Sequence, residues 1–171
     1  MNVPRSKVFN AVYNLMSSYI KSNYQKYPNV PQFVTFSKNY KPYEKTFSDA
    51  QPSFYLALGP ESPDQDGTQG VTRWEMVFYA IVFMQIDPKQ TNPTPAEVIL
   101  STIDMLDDSL FNNGRAQTLA SQNNGQPLVS NCWFDKRAGK VEIRQPILLP
   151  QAAIVAPITS FAFTQLNGMR T

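Results

Sequence analysis

From Val71 to Ile86 the chain reads V-T-R-W-E-M-V-F-Y-A-I-V-F-M-Q-I, and its middle, Met76 to Met84, is continuously apolar. Neither Gly nor Pro interrupts it, and the β-branched and aromatic content favours a long strand over a helix. Its entry is half-polar, with Arg73 and Glu75 on one face and Trp74 and Met76 on the other. A strand that is apolar on both faces has to be covered on both. The pattern therefore predicts a central strand with helices on one side. The other side would be closed by a second part of the chain or by another copy of it.

The flanking segments fall into place around this strand. Ser6 is the expected N-cap of a first helix whose apolar positions Val8, Phe9, Val12, Leu15, Met16, Tyr19 and Ile20 recur at helical spacing. That helix should run to Asn23–Lys26, before Pro28 and Pro31. A short strand is expected over Phe33–Lys38, then a Tyr/Lys/Pro-rich connector over Asn39–Asp49, then a strand over Ser53–Leu58. Gly59 to Gly70 is almost free of apolar residues and reads as a long exposed loop, the tip of an antiparallel hairpin. Thr94-Pro95-Ala96-Glu97 is a capping box with proline at the first helical position. It should open a second helix with Val98, Ile99, Ile103, Leu106 and Leu110 inside and a C-cap at Asn113-Gly114.

Beyond a polar loop (Ala116–Pro127), Leu128–Phe134 and Lys140–Arg144 read as a hairpin about the turn Lys136–Gly139. Ala152–Phe163 is the last strand, in which Pro157 argues for an edge or a bulge, and residues 164–171 should form a loose tail. The expected class is α+β, a mainly antiparallel sheet flanked by two α-helices, in a single domain over residues 1–171.

Composition narrows the chemistry. The 171 residues include no histidine and a single cysteine, Cys132, so Ser-His and Cys-His nucleophile pairs, internal disulfides and Cys-based zinc sites are excluded. Cys132 itself reads as a small buried apolar residue in a strand. No segment approaches the roughly 18–20 apolar residues that span a bilayer. The N-terminus leads straight into an amphipathic pattern rather than a signal peptide, which fits a protein kept in a reducing cytosol. Charge is unevenly placed. Arg5, Lys7, Lys21, Lys26, Lys38, Lys41 and Lys45 stand against Glu44 alone, whereas acids dominate from Thr46 to Phe111. Such a layout can make opposite ends of one molecule complementary, and head-to-tail contacts of that kind close into rings.

Three motifs invite a chemical reading. Asp64-Gln65-Asp66-Gly67 has the look of a calcium loop, but aligning its glycine puts Ser62 and Arg73 where carboxylates are needed. Asp104, Asp107 and Asp108 share a helix face opposite the apolar stripe, where a solvent face or subunit contact is favoured over a cation site. Tyrosines and lysines alternate through Tyr19, Lys21, Tyr24, Lys26, Tyr27, Lys38, Tyr40, Lys41, Tyr43 and Lys45, a pattern compatible with non-specific contact with passing DNA. No catalytic set, phosphate-binding glycine loop, metal site or cofactor site is expected.

The layout as a whole resembles the tail terminator (tail completion) proteins of long-tailed bacteriophages, of the lambda type. The residues that carry the likeness are the N-terminal helix, the Lys/Tyr connector leading into Gln51-Pro52-Ser53-Phe54-Tyr55-Leu56, and the long strand Trp74–Gln85. The proline-started helix Thr94–Leu110, the segment Val129–Arg144 and the closing I-V-A-P-I-T of Ile154–Thr159 complete it. A departure is Thr118-Leu119-Ala120-Ser121, where such proteins often carry Thr-Leu-Gly-Gly. The resemblance implies a non-enzymatic virion protein assembled in the host cytoplasm. It would form a hexameric ring that caps the tail tube and meets a neck, head-completion or connector protein. Another neck, head-completion or minor tube protein is the alternative. In such a ring Glu61, Asp64 and Asp66 at the hairpin tip, Asp87 and Lys89 in the following turn, and Tyr40, Lys41 and Tyr43 of the connector are the expected subunit or tube contacts.

Overall fold

The computed structural model describes residues 3–39, 49–64, 71–87, 89–110, 118–134, 142–144 and 151–165. In order they form α1 (Arg5–Asn23), a 3-10 turn (Tyr24–Lys26), β1 (Thr35–Ser37), β2 (Ser53–Asp64) and β3 (Val71–Gln85). Then come α2 (Pro95–Leu110), a second 3-10 turn (Ala120–Gln122), β4 (Asn131–Phe134), β5 (Glu142–Arg144) and β6 (Gln151–Gln165). The strands make one sheet in the order β1-β2-β3-β6-β4, with β5 also on β6. Only β1 and β2 are parallel; every other pairing is antiparallel. The class is α+β, with both helices on one face of a mainly antiparallel sheet.

β3 is central, as its apolar middle requires. Phe78, Ala80, Val82 and Met84 alternate onto the helix face and join Phe54 and Leu56 of β2. Against them pack Val8, Val12, Met16 and Ile20 of α1 and Ile99, Met105, Leu106 and Leu110 of α2. On the opposite face Tyr55, Ile81 and Phe83 form a second, smaller cluster. They are 0, 6 and 3% exposed, so these three side chains are shielded within the single chain.

The Tyr55 ring lies edge-on to Phe83 at 5.9 Å, and its hydroxyl donates to Asp49 Oδ2. Burial, then the Asp49 carboxylate, pushes the Tyr55 phenol up to about 12 from its ordinary value of 10.0. A pKa raised on folding favours the neutral phenol. Its contribution is complete below pH 10 and is lost as pH climbs through about 12. The melting temperature should therefore fall between those values, and fall less steeply in Tyr55→Phe, measured by circular dichroism across that range.

α2 begins where the capping box predicts. Thr94 N and Oγ1 donate to Glu97 Oε2 at 2.7 and 2.8 Å, and Glu97 N donates back to Thr94 Oγ1 at 3.3 Å. These reciprocal bonds, the backbone one first, hold the Glu97 carboxyl below its ordinary value. Thr94→Ala should cost about 1 kcal/mol of stability by denaturant titration, since it orphans a first-turn N–H. The buried stripe is Val98, Ile99, Thr102, Met105, Leu106, Ser109 and Leu110; Ile103 lies at its margin. Thr102 and Ser109 are tolerated inside because their hydroxyls donate to the carbonyls of Val98 and Leu106.

Several expectations are corrected. α1 is capped by Pro4 in extended conformation, with no side-chain cap, and Ser6 already lies inside the helix. β2 does not stop at Leu58. Leu58 pairs with Phe78 and the next pair is Glu61 with Met76, so Gly59 and Pro60 form a bulge and the ladder continues to Asp64. The expected loop over Gly59–Gly70 is thus strand for its first half.

β4 and β5 do not make a hairpin with each other. β4 pairs with Phe161–Ile158 and β5 with Val155–Ala153, so both line the same edge of β6 in succession. Among the described residues Ala156 and Pro157 fall in the gap between those two pairings, which is where a residue without an N–H fits inside a sheet. β6 runs on to Gln165, two residues into the expected tail. The expected C-cap at Asn113-Gly114 and the turn Lys136–Gly139 lie outside the described residues.

Candidate assembly surfaces

α1 starts at Arg5, and its first turns lie beside the Gly59 bulge. Arg5, Ser6 and Phe9 line a cavity of about 300 Å3 together with Leu58, Gly59, Met76, Val77 and Phe78. Its wall is mostly apolar, and Leu58 at its mouth is 67% exposed. Past the bulge β2 and β3 continue as an arm of the sheet, with β6 paired along β3 as far as Gln165. β2 runs from Gly59 to Asp64 and β3 returns from Val71, which at about 3.3 Å per residue is a reach of roughly 20 Å. The bulge exists because the β3 side is crowded. A Cβ on Gly59 would stand 2.8 Å from Tyr79 Cε2 and 3.0 Å from Val77 Cγ1 and the Val77 carbonyl.

The expected contact residues divide between two ends of this sheet. Glu61 and Asp64 lie in the arm, in register with Met76 and Arg73. Asp87 and Lys89 lie beyond the other end of β3, roughly 40 Å away along the strand at about 3.3 Å per residue. There Asp87 Oδ1 accepts the Lys89 backbone N–H at 2.9 Å, and both residues are exposed. Tyr40, Lys41, Tyr43 and Asp66 lie outside the described residues. The set is therefore not one site.

Among the described residues, Tyr19 and Tyr27 of the Tyr/Lys pattern are engaged inside the fold. The Tyr19 and Tyr27 hydroxyls are 2.6 Å apart, and the Tyr27 hydroxyl donates to Asp108 Oδ2 at 2.6 Å. Burial, then Asp108 and Tyr19, hold the Tyr27 phenol well above its ordinary value. This bridge ties the end of α2 to the residues just past α1, a contact between elements far apart in sequence. One member of the acidic face is thus an internal acceptor. Lys21 lies over the Phe36 ring at 4.6 Å and Lys38 over Tyr13 at 5.1 Å. Among the described residues these aromatics therefore do not form an open stacking platform. Nor do the described residues include a group of His, Cys, Asp or Glu placed to hold a metal ion. Cys132 is buried, as its strand position predicts.

Leu119, in the stretch that departs from Thr-Leu-Gly-Gly, is buried at φ 59°. The neighbouring Thr118 carbonyl accepts from the N–H groups of Leu128 and Val129. No described helix is long and apolar enough to cross a membrane.

No protein family and no curated protein matches this sequence. Among solved structures, a chain of the "Virion of native gene transfer agent (GTA) particle" aligns with 12% identity over 90% of this chain and 92% of that one, at a TM-score of 0.46. The likeness is loose, and it establishes neither a shared fold nor a function.

Proposed function

We propose that this chain is a structural virion protein of the tailed-phage kind, a tail terminator. It assembles as a hexameric ring, caps the tail tube and joins it to a neck, head-completion or connector protein, and it catalyses no reaction. The pattern of elements from α1 to β6 supports this reading. The observation that carries it is the exposed Leu58 at the mouth of the apolar cavity beside the Gly59 bulge. A large aliphatic side chain left in water at the mouth of an apolar cavity is suited to seating another protein. The runner-up, a minor tube or head-completion protein, differs in how it self-associates. A tube subunit extends into filaments; a terminator stops at discrete rings.

Native mass measurement and negative-stain imaging of the purified protein, alone and with tail tubes, separate the two. Leu58→Asp gives a sharper test. Because Leu58 is 67% exposed, the change should leave stability within about 0.5 kcal/mol. Attachment to tubes should be lost. Undiminished attachment of a folded Leu58→Asp protein would remove the arm root from the contact.

A further inference from the structure

The two helices that share the sheet face are opposite in charge. α1 carries Arg5, Lys7 and Lys21 and contains no acid. α2 carries Glu97, Asp104, Asp107 and Asp108 and contains no base. Their positions keep these charges apart. α1 lies over the β1–β3 half, with Phe9 on Phe78, Tyr13 on Phe54 and Lys21 over Phe36. α2 lies beside α1, over the β6–β4 half. Lys38, after β1, joins the basic half by donating to Asn10 Oδ1 at 2.6 Å. The helix-bearing surface is thus basic toward the β1 edge and acidic toward the β4 edge.

Local helix energetics account for Lys21 and Glu97, at the favourable ends of their helices, but not for the other charges. Arg5 and Lys7 stand at the positive end of α1, and Asp107 and Asp108 at the negative end of α2, each against the helix dipole. Within the acidic stripe Leu100 is 58% exposed, one turn from both Glu97 and Asp104.

We infer that these two halves are the opposite sides of one contact between copies of this chain. The α2 face bearing Leu100 and Asp104 of one copy seats against the α1 side bearing Lys7 and Lys21 of the next. This inference rests on the ring reading and names its lateral interface. Lys7 and Lys21 on one strip and Leu100 and Asp104 on the other are all exposed, so they are open to a second copy. A rotation about an axis brings the acidic edge of one copy to the basic edge of its neighbour, a heterologous contact that closes into a ring. A nucleic acid would satisfy the basic strip alone and leave the acidic strip and Leu100 in water, whereas a second copy engages all three.

The test uses the full chain in sedimentation velocity, with circular dichroism melts to confirm folding. Lys7→Glu combined with Lys21→Glu, and separately Asp104→Lys, should each weaken self-association about tenfold or more through like-charge contact. An equimolar mixture of the two variants should restore oligomers, because each reversed strip then meets a reversed partner. Added salt should weaken the native oligomer, as screening of exposed charges requires. If the native protein stays monomeric throughout, the ring reading fails and this interface with it. If native rings form but survive both variants, or the mixture stays dissociated, this pairing is wrong and the ring reading stands. Binding of a single-stranded oligonucleotide that is abolished in the lysine variant, with rings unaffected, would assign the basic strip to nucleic acid instead.

Discussion

Phe54→Ala is expected to destabilise the fold by about 3–5 kcal/mol, the range for removing a fully buried aromatic ring. Phe54 is 0% exposed. Its ring stands 6.3 Å from Tyr13 of α1 and 6.1 Å from Phe36 of β1, and its backbone pairs with Val82 of the central strand. It therefore touches a helix, an edge strand and the middle of the sheet at once. Truncation leaves a cavity that rigid strands on either side cannot fill. Since a small domain has only about 5–15 kcal/mol of net stability, a loss of this size should lower the denaturant midpoint severely. Phe54→Leu keeps most of the volume and should cost well under half as much. Equal costs for the two substitutions would mean the site collapses freely and does not hold β1 and α1 in place.

Gly59→Val should cost about 1–3 kcal/mol, and its effect should be felt at the arm rather than in the helices. The position has no room. A Cβ would press on the Tyr79 ring at 2.8 Å, and valine adds two methyl groups beyond it. One contact, the Val77 carbonyl at 3.0 Å, is backbone in the central strand and cannot step aside like a flexible side chain. Relief requires the bulge to open, which would shift β2 from Pro60 onward relative to β3. Hydrogen exchange should show faster exchange over β2 residues 61–64 in the variant, with α1 and α2 amides changed far less. A variant that matches the native protein in both stability and exchange would show that the bulge has slack, and the arm would then owe nothing to this glycine. If the arm seats another protein, Gly59→Val should also impair tube attachment, where Phe54→Leu should not.

Much of the fold was legible because its signals are local or periodic. The Thr94–Glu97 box is complete within one turn, so four residues suffice to place a helix start. The β3 run declares itself by composition, and the stripes of α1 and α2 declare themselves by spacing. The segregation of charge was also legible as a list of residues.

What was misread depended on partners distant in sequence. Glu61–Asp64 are polar enough for a loop, yet they become strand because the half-polar entry of β3 lies alongside and completes the ladder. Lys136–Gly139 carries a convincing local turn signal, but β4 and β5 each find more to pair with on β6 than on each other. Pro157 correctly announced an irregularity without revealing that the break lies in its neighbours' pairing. The Tyr27–Asp108 bridge, 81 positions apart, has no sequence signature at all.

By itself the sequence determined where the two helices and the central strand lie, which of their faces are apolar, and that charges of opposite sign sit on different helices. Those properties follow from backbone geometry and from the alternation of side chains along it. Only the tertiary structure decided that both helices share one face, with the basic one toward β1 and the acidic one toward β4. It alone carried β2 past Gly59 to Asp64. Strand order and helix placement are set by non-local pairing and burial, where a residue's partner is chosen by the whole chain competing for the same surface.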